Sequence, residues 1–127
     1  MTVEELYKIT KQLMFEKPSS TIYDNYLFGN LNRLLEELYE ENNMARIFKG
    51  KMTFTEPLKV SEMSDEITYE EEYANNVLPL GLASSFLIDD DLQKYSIFYT
   101  KYNNARVINQ KIVSKEKIDA FTTRTSV

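Results

Sequence analysis

"DEITYEEEYANNVLPLGLASSFLIDDDLQKYSIFYTKYNNARV", Asp65–Val107, is the stretch of this 127-residue chain that fixes its fold class. Thr68 and Glu71 have the spacing of a capping box, which predicts a helix start with Glu70, Glu71 and Glu72 in the first turn. Free amides and the helix dipole favour negative charge there by about 0.3–1 kcal/mol each, so these acids need no catalytic duty. Val77, Leu78, Leu80, Leu82, Ala83, Phe86 and Leu87 then cover most of the helix circumference, predicting a central, buried helix. Pro79 should kink it near Asn75, and Gly81 and Ala83 should let a neighbouring helix come close. Asp89, Asp90 and Asp91 close that helix and open another, with Asp90 or Asp91 as N-cap. Tyr95, Phe98, Tyr102, Ala105 and Ile112 share one face of this last helix, an antiparallel partner reached through a very short turn.

Upstream, "TVEE" at Thr2–Glu5 is another capping box, and Val3, Leu6, Thr10 and Leu13 predict a first helix over about residues 3–15. Pro18 ends it. A second, longer helix is expected from Thr21, with Leu27, Leu31, Leu34, Leu38, Ala45 and Phe48 on one stripe and Gly50 as its stop. Residues 51–66 alternate imperfectly around Pro57 and predict an extended arm or irregular hairpin between the second and third helices. Beyond Val113 the sequence reads as an extended, polar C-terminal tail with Ile118 and Phe121 as its large apolar residues. The expected fold is therefore mainly α: a bundle of about four helices over residues 1–113, carrying the arm, followed by a tail over 114–127.

Composition narrows the chemistry. The chain has no cysteine and no histidine, so disulfides, thiolate nucleophiles, and the usual general base and metal ligand are all missing. Carboxylate, lysine and tyrosine chemistry survive. The amino-terminal residues are mixed in charge and lack an apolar leader. Nothing approaches the roughly 20 apolar residues of a membrane span, so a cytoplasmic origin is expected. The net charge of −5 is uneven: residues 1–49 carry 6 basic and 8 acidic groups, residues 50–91 carry 2 and 10, and residues 92–127 carry 7 and 2. Either differently charged solvated faces or an acidic surface meeting a basic one on a neighbouring copy fits this partition.

Three consecutive aspartates point about 100° apart on a helix and do not converge on a cation, and the spacing of a calcium loop is absent. The Glu70–Glu72 run lacks the cleft that a glycosidase carboxylate pair requires. Gly29, Gly50 and Gly81 stand alone, so there is no phosphate loop. Lys94, Lys101, Arg106, Lys111, Lys115 and Lys117 are spread out in an acidic chain, which argues against a nucleic-acid grip. The expectation is a protein without catalysis, metal or cofactor.

The stretch quoted above runs from an acidic helix start through "LPLGLA" to an aspartate turn, then a helix with recurring tyrosines that reads "NNAR" near Arg106. In that order it resembles the head–tail connector (adaptor) proteins of long-tailed bacteriophages and prophages, over about residues 65–112. The resemblance implies a helical virion protein, made in the host cytoplasm, whose copies form a ring, twelve-fold in that family. The ring would sit between the portal protein and a tail-side connector or tail terminator, with double-stranded DNA passing through its lumen unread and no membrane involved. Unlike charge on the middle and C-terminal sections suits head-to-tail contact between copies. Partner-binding positions are expected in the tail, at Ile118, Phe121 and Arg124, and in the arm, at Phe54, Leu58 and Val60. A second expectation, from another class, is a small acidic helical regulator that binds a phage or host protein.

Overall fold

A computed structural model describes residues 1–125, with side chains through Lys111. The helices are α1 (Val3–Leu13), α2 (Leu27–Glu37), α3 (Tyr39–Phe48), the single turn α4 (Glu71–Ala74), α5 (Leu78–Leu87) and α6 (Leu92–Thr125). A 3-10 turn, Asp24–Tyr26, leads into α2. Among the described residues there is no β-strand beyond one isolated bridge between Thr2 and Glu66.

α5 is the hub. Its residues Leu78, Leu82 and Ala83 are fully enclosed, and α1, α2 and α6 pack around it. An aromatic stack ties the α1 side to the hub: Tyr23 lies flat on Phe86 at 4.7 Å between ring centres, while Tyr7 meets Phe86 edge-on at 6.0 Å. On the other side Tyr102 of α6 lies over Gly81. A Cβ there would stand 2.9 Å from a Tyr102 ring carbon and 3.0 Å from Leu34, so the expected close approach is present and glycine is what permits it.

α2 and α3 form the second helix with a bend. Leu38 has φ −91° and ψ 0°, yet its amide donates to Leu34 and its carbonyl accepts from Asn42, so the rod flexes without breaking. Leu27, Leu31, Leu34, Leu35, Leu38 and Ala45 are buried as their spacing predicts. Gly50, at φ +73°, ends α3 with the two crossed bonds of a Schellman motif, Gly50 N to Ile47 O and Lys51 N to Arg46 O. Counting α2–α3 as one bent rod, α1, α5 and α6 complete a bundle of four.

Four boundaries differ from expectation, the first being the start of the second helix, which lies at Leu27 after the 3-10 turn and not at Thr21. Thr68 does not cap a helix: residues 68–70 are non-helical, Glu70 takes the N-cap position, and α4 lasts one turn. The chain then restarts at Leu78 with Pro79 in the first turn, where its missing amide costs nothing, so proline begins α5 rather than kinking it. The last helix does not give way to an extended tail near Val113; α6 continues to Thr125, because "SKEKIDAF" is built of helix-compatible residues with no glycine or proline to stop it.

The arm is irregular, as expected, but it is fastened to the bundle. Asn43 brackets Phe54, accepting from its amide at 2.8 Å and donating to its carbonyl at 3.0 Å. Asn32 does the same for Val60 at 2.8 and 2.9 Å. A carboxamide offers the donor and acceptor of a peptide, so these two side chains do the work of a missing strand partner. The end of the arm pairs with the N-terminus through Val3 N to Asp65 O at 3.0 Å and Ile67 N to Met1 O at 2.8 Å.

Candidate functional site

Of the six positions expected to meet a partner, the three in the arm pack against the bundle. Val60 is buried, and Phe54 and Leu58 pack partly buried against the core. Phe54 lies 5.4 Å from the Tyr69 ring and beneath the Arg46 guanidinium at 4.8 Å. These arm residues are thus committed to their own bundle. Ile118, Phe121 and Arg124 fall on the backbone of α6, and their side chains lie outside the described residues.

The acids of the "YEEEY" run part company. Glu70 is buried, with Arg46 at 3.2 Å, Lys49 at 3.2 Å and Lys51 at 2.8 Å from its carboxylate. Burial alone would raise its pKa, but the bonds from Lys51 and Lys49 outweigh burial and hold it below the usual carboxylate range. Its amide donates to Asn42 at 2.7 Å, while the Asn42 carboxamide nitrogen is enclosed without an acceptor among the described residues. Glu72 takes a second grip on Lys49. So Glu70 is a buried anchor joining α3 to α4, not helix punctuation.

A second charged clamp closes the bundle from the other side. Arg106 of α6 binds Glu37 and Glu41, each at 2.7 Å, and Tyr102 donates its hydroxyl to Glu37 at 2.7 Å. The basic C-terminal section therefore meets acid within its own chain at this point. The three aspartates of the α5–α6 turn also have separate duties: Asp91 caps α6 by accepting from the Lys94 amide at 3.1 Å, Asp90 accepts from the Tyr23 hydroxyl at 2.9 Å, and Asp89 faces solvent. Among the described residues no three carboxylates gather where a cation could sit.

Buried tyrosines are held protonated. Burial, then the bond to Asp90, pushes Tyr23 up to about 12, and burial pushes Tyr69 up to about 12. Tyr7 and Tyr102 are raised further, by burial and then by their bonds to Asp24 and Glu37. None of these phenols is poised as a nucleophile or base near neutral pH.

What the bundle leaves open is a trough along α2, α5 and the start of α6. Its deeper end, about 500 Å³, is lined by Ile22, Tyr23, Tyr26, Arg33, Ile88 and Asp89, among others. A shallower continuation of about 160 Å³ shares Arg33, Ser85 and Ile88 and runs past Tyr95 and Tyr99. Arg33 donates to the Asn30 side chain at 3.2 Å and has no carboxylate partner among the described residues. Periodicity could not reveal this trough, because Ile22 and Tyr26 precede α2 and Arg33 reads as an ordinary solvated residue. The one available signal was excess aromatic and aliphatic residues off the buried stripe. No helix among the described residues is long and apolar enough to cross a membrane. No protein-family model, curated protein or solved structure matches the chain.

Proposed function

We propose that this chain is a virion structural protein, a head–tail adaptor whose copies form a ring between the portal and the tail components of a long-tailed phage, with DNA passing through the lumen. The observation that carries the reading is the α5–α6 pair. The sequence order that carries the resemblance, with its apolar helix, aspartate turn and helix of recurring tyrosines, falls on this packed pair, which supports the reading. α6 has 34 residues, about 51 Å at roughly 1.5 Å per residue, against about 15 Å for the 10-residue α5 it packs on. Ile97, Val107 and Ile108 of α6 are exposed apolar residues, which suits this helix to meeting a neighbour. The acidic bundle would repel passing phosphates rather than hold them.

Electron micrographs of the purified protein, alone and mixed with a candidate portal protein, test this reading. Rings, or an added layer of density on the portal, are the expected result. Deleting residues 114–127 should leave the bundle folded and abolish portal binding. A chain that stays monomeric or dimeric and leaves the portal bare would overturn the adaptor reading in favour of a small acidic regulator.

A further inference from the structure

Two features have no partner among the described residues: an exposed aromatic knob at the end of α1 and the trough. α1 closes in a Schellman motif, with Phe15 N bonded to Gln12 O at 3.1 Å and Glu16 N to Lys11 O at 2.9 Å. That motif puts Phe15 at φ +59°, a left-handed position that normally selects glycine, and a bulky side chain is strained there. The ring recovers nothing by packing, since it is 92% exposed. The loop that carries it is nonetheless fixed. The Lys11 ammonium, 4.0 Å above the Tyr7 ring, donates to Pro18 O at 3.1 Å, and Ser20 N bonds Lys17 O at 2.9 Å. Strain of this kind, held in place by its surroundings, is a mark of function. A loop whose backbone is already fixed loses little entropy on docking.

The trough offers what such a knob lacks. Ile22 and Tyr26 flank its deep end at 63% and 62% exposure. Arg33 has no carboxylate partner and Asp89 no cationic one among the described residues. The knob continues as Phe15-Glu16-Lys17, an aromatic ring, an acid and a base, and neither charge is paired among the described residues. Tyrosine and arginine are also the residue types that most often anchor interfaces.

We infer that Phe15 of one copy docks in the trough of a second copy, with Glu16 reaching Arg33 and Lys17 reaching Asp89. The occupant is another copy because the matching order of apolar and charged groups is written in this same chain. Phe15 lines neither part of its own trough. Each copy carries both knob and trough, so the contact can repeat from subunit to subunit. This inference rests on the self-assembly proposed above and adds the surfaces that meet.

Phe15→Gly separates docking from folding. Glycine relieves the positive φ, so the thermal midpoint should rise. The dissociation constant for self-association, measured by sedimentation, should weaken at least about tenfold. A variant that associates like the parent overturns the inference. The absence of cysteine permits a second, direct test. Lys17→Cys and Asp89→Cys chains, mixed and mildly oxidised, should form a disulfide-linked heterodimer. No such product from a sample that does self-associate overturns the knob-in-trough contact and leaves the ring proposal standing. A parent chain that sediments as a monomer at every concentration, with and without portal, overturns both.

Discussion

At the scale of single residues, Gly81 and Glu70 carry the tightest constraints. An alanine at position 81 would gain about 1 kcal/mol of helix propensity. Its methyl, however, would stand 2.9 Å from the Tyr102 ring and 3.0 Å from Leu34. Tyr102 is held at its far end by Glu37 at 2.7 Å and cannot swing aside. Overpacking of this kind costs about 1–3 kcal/mol. Gly81→Ala should therefore destabilise the protein by about 1 kcal/mol net, read as a lower urea midpoint. An unchanged midpoint would mean that α6 sits farther from α5. For Glu70→Gln the expected loss is about 1–3 kcal/mol, because a buried charge-assisted network loses the carboxylate that faces Arg46, Lys49 and Lys51 together. The folded pKa of Glu70 lies below its free value of 4.5. Its stabilisation is thus present above that value and lost as pH falls through the folded pKa. Urea midpoints of parent and Glu70→Gln should converge as pH falls below 4.5 and through the folded pKa of Glu70; parallel curves would contradict the network.

At the scale of elements, the aspartate turn makes a graded prediction. Asp91→Ala removes the N-cap of a 34-residue helix and should cost about 0.5–2 kcal/mol. Asp89→Ala, which touches no backbone amide, should stay within about 0.5 kcal/mol of the parent. Thermal melts followed by circular dichroism compare the two, and equal effects would deny the cap. This turn was legible in sequence because capping is local: the residues that act are neighbours. The leucine stripe of α2–α3 and the hub character of α5 were legible for the same reason, as periodicity needs no knowledge of partners. Glu70 was misread because its cations, Arg46, Lys49 and Lys51, come some twenty positions earlier and only the fold brings them to it. The bend at Leu38 has no glycine or proline to announce it. The fastening of the arm was hidden in Asn32 and Asn43, which look like solvated helix residues until the arm folds over them. Phe15 escaped notice because nothing in its own identity suggests a left-handed backbone. The trough was not legible at all, since residues from several separate elements line it.

At the scale of the whole molecule, charge and aromatic burial together set the pH range over which the fold survives. The acidic limit is governed in part by Glu70. The alkaline limit belongs to the tyrosines. Tyr23 and Tyr69 are each raised from 10.0 to about 12, chiefly by burial, and Tyr7, Tyr73 and Tyr102 are raised further for the same first cause. A group whose folded pKa is raised gives stability that is complete below its unfolded value and is lost as pH rises through the folded one. Stability should accordingly hold up to about pH 10 and fall steeply between there and pH 12. These rings lie in different parts of one core, Tyr7 and Tyr23 on Phe86, Tyr69 under the arm, Tyr102 on Gly81. Ionising any of them in place would strand a phenolate away from water, so they should ionise together as the core opens. An alkaline titration followed by phenolate absorbance and helical circular dichroism checks this: a late phenolate step should coincide with loss of helix. Tyr23→Phe and Tyr69→Phe should each reduce the amplitude of that step. Full phenolate formation while the helical signal stays intact would show that the core admits water locally, and the cooperative account of the bundle would fail.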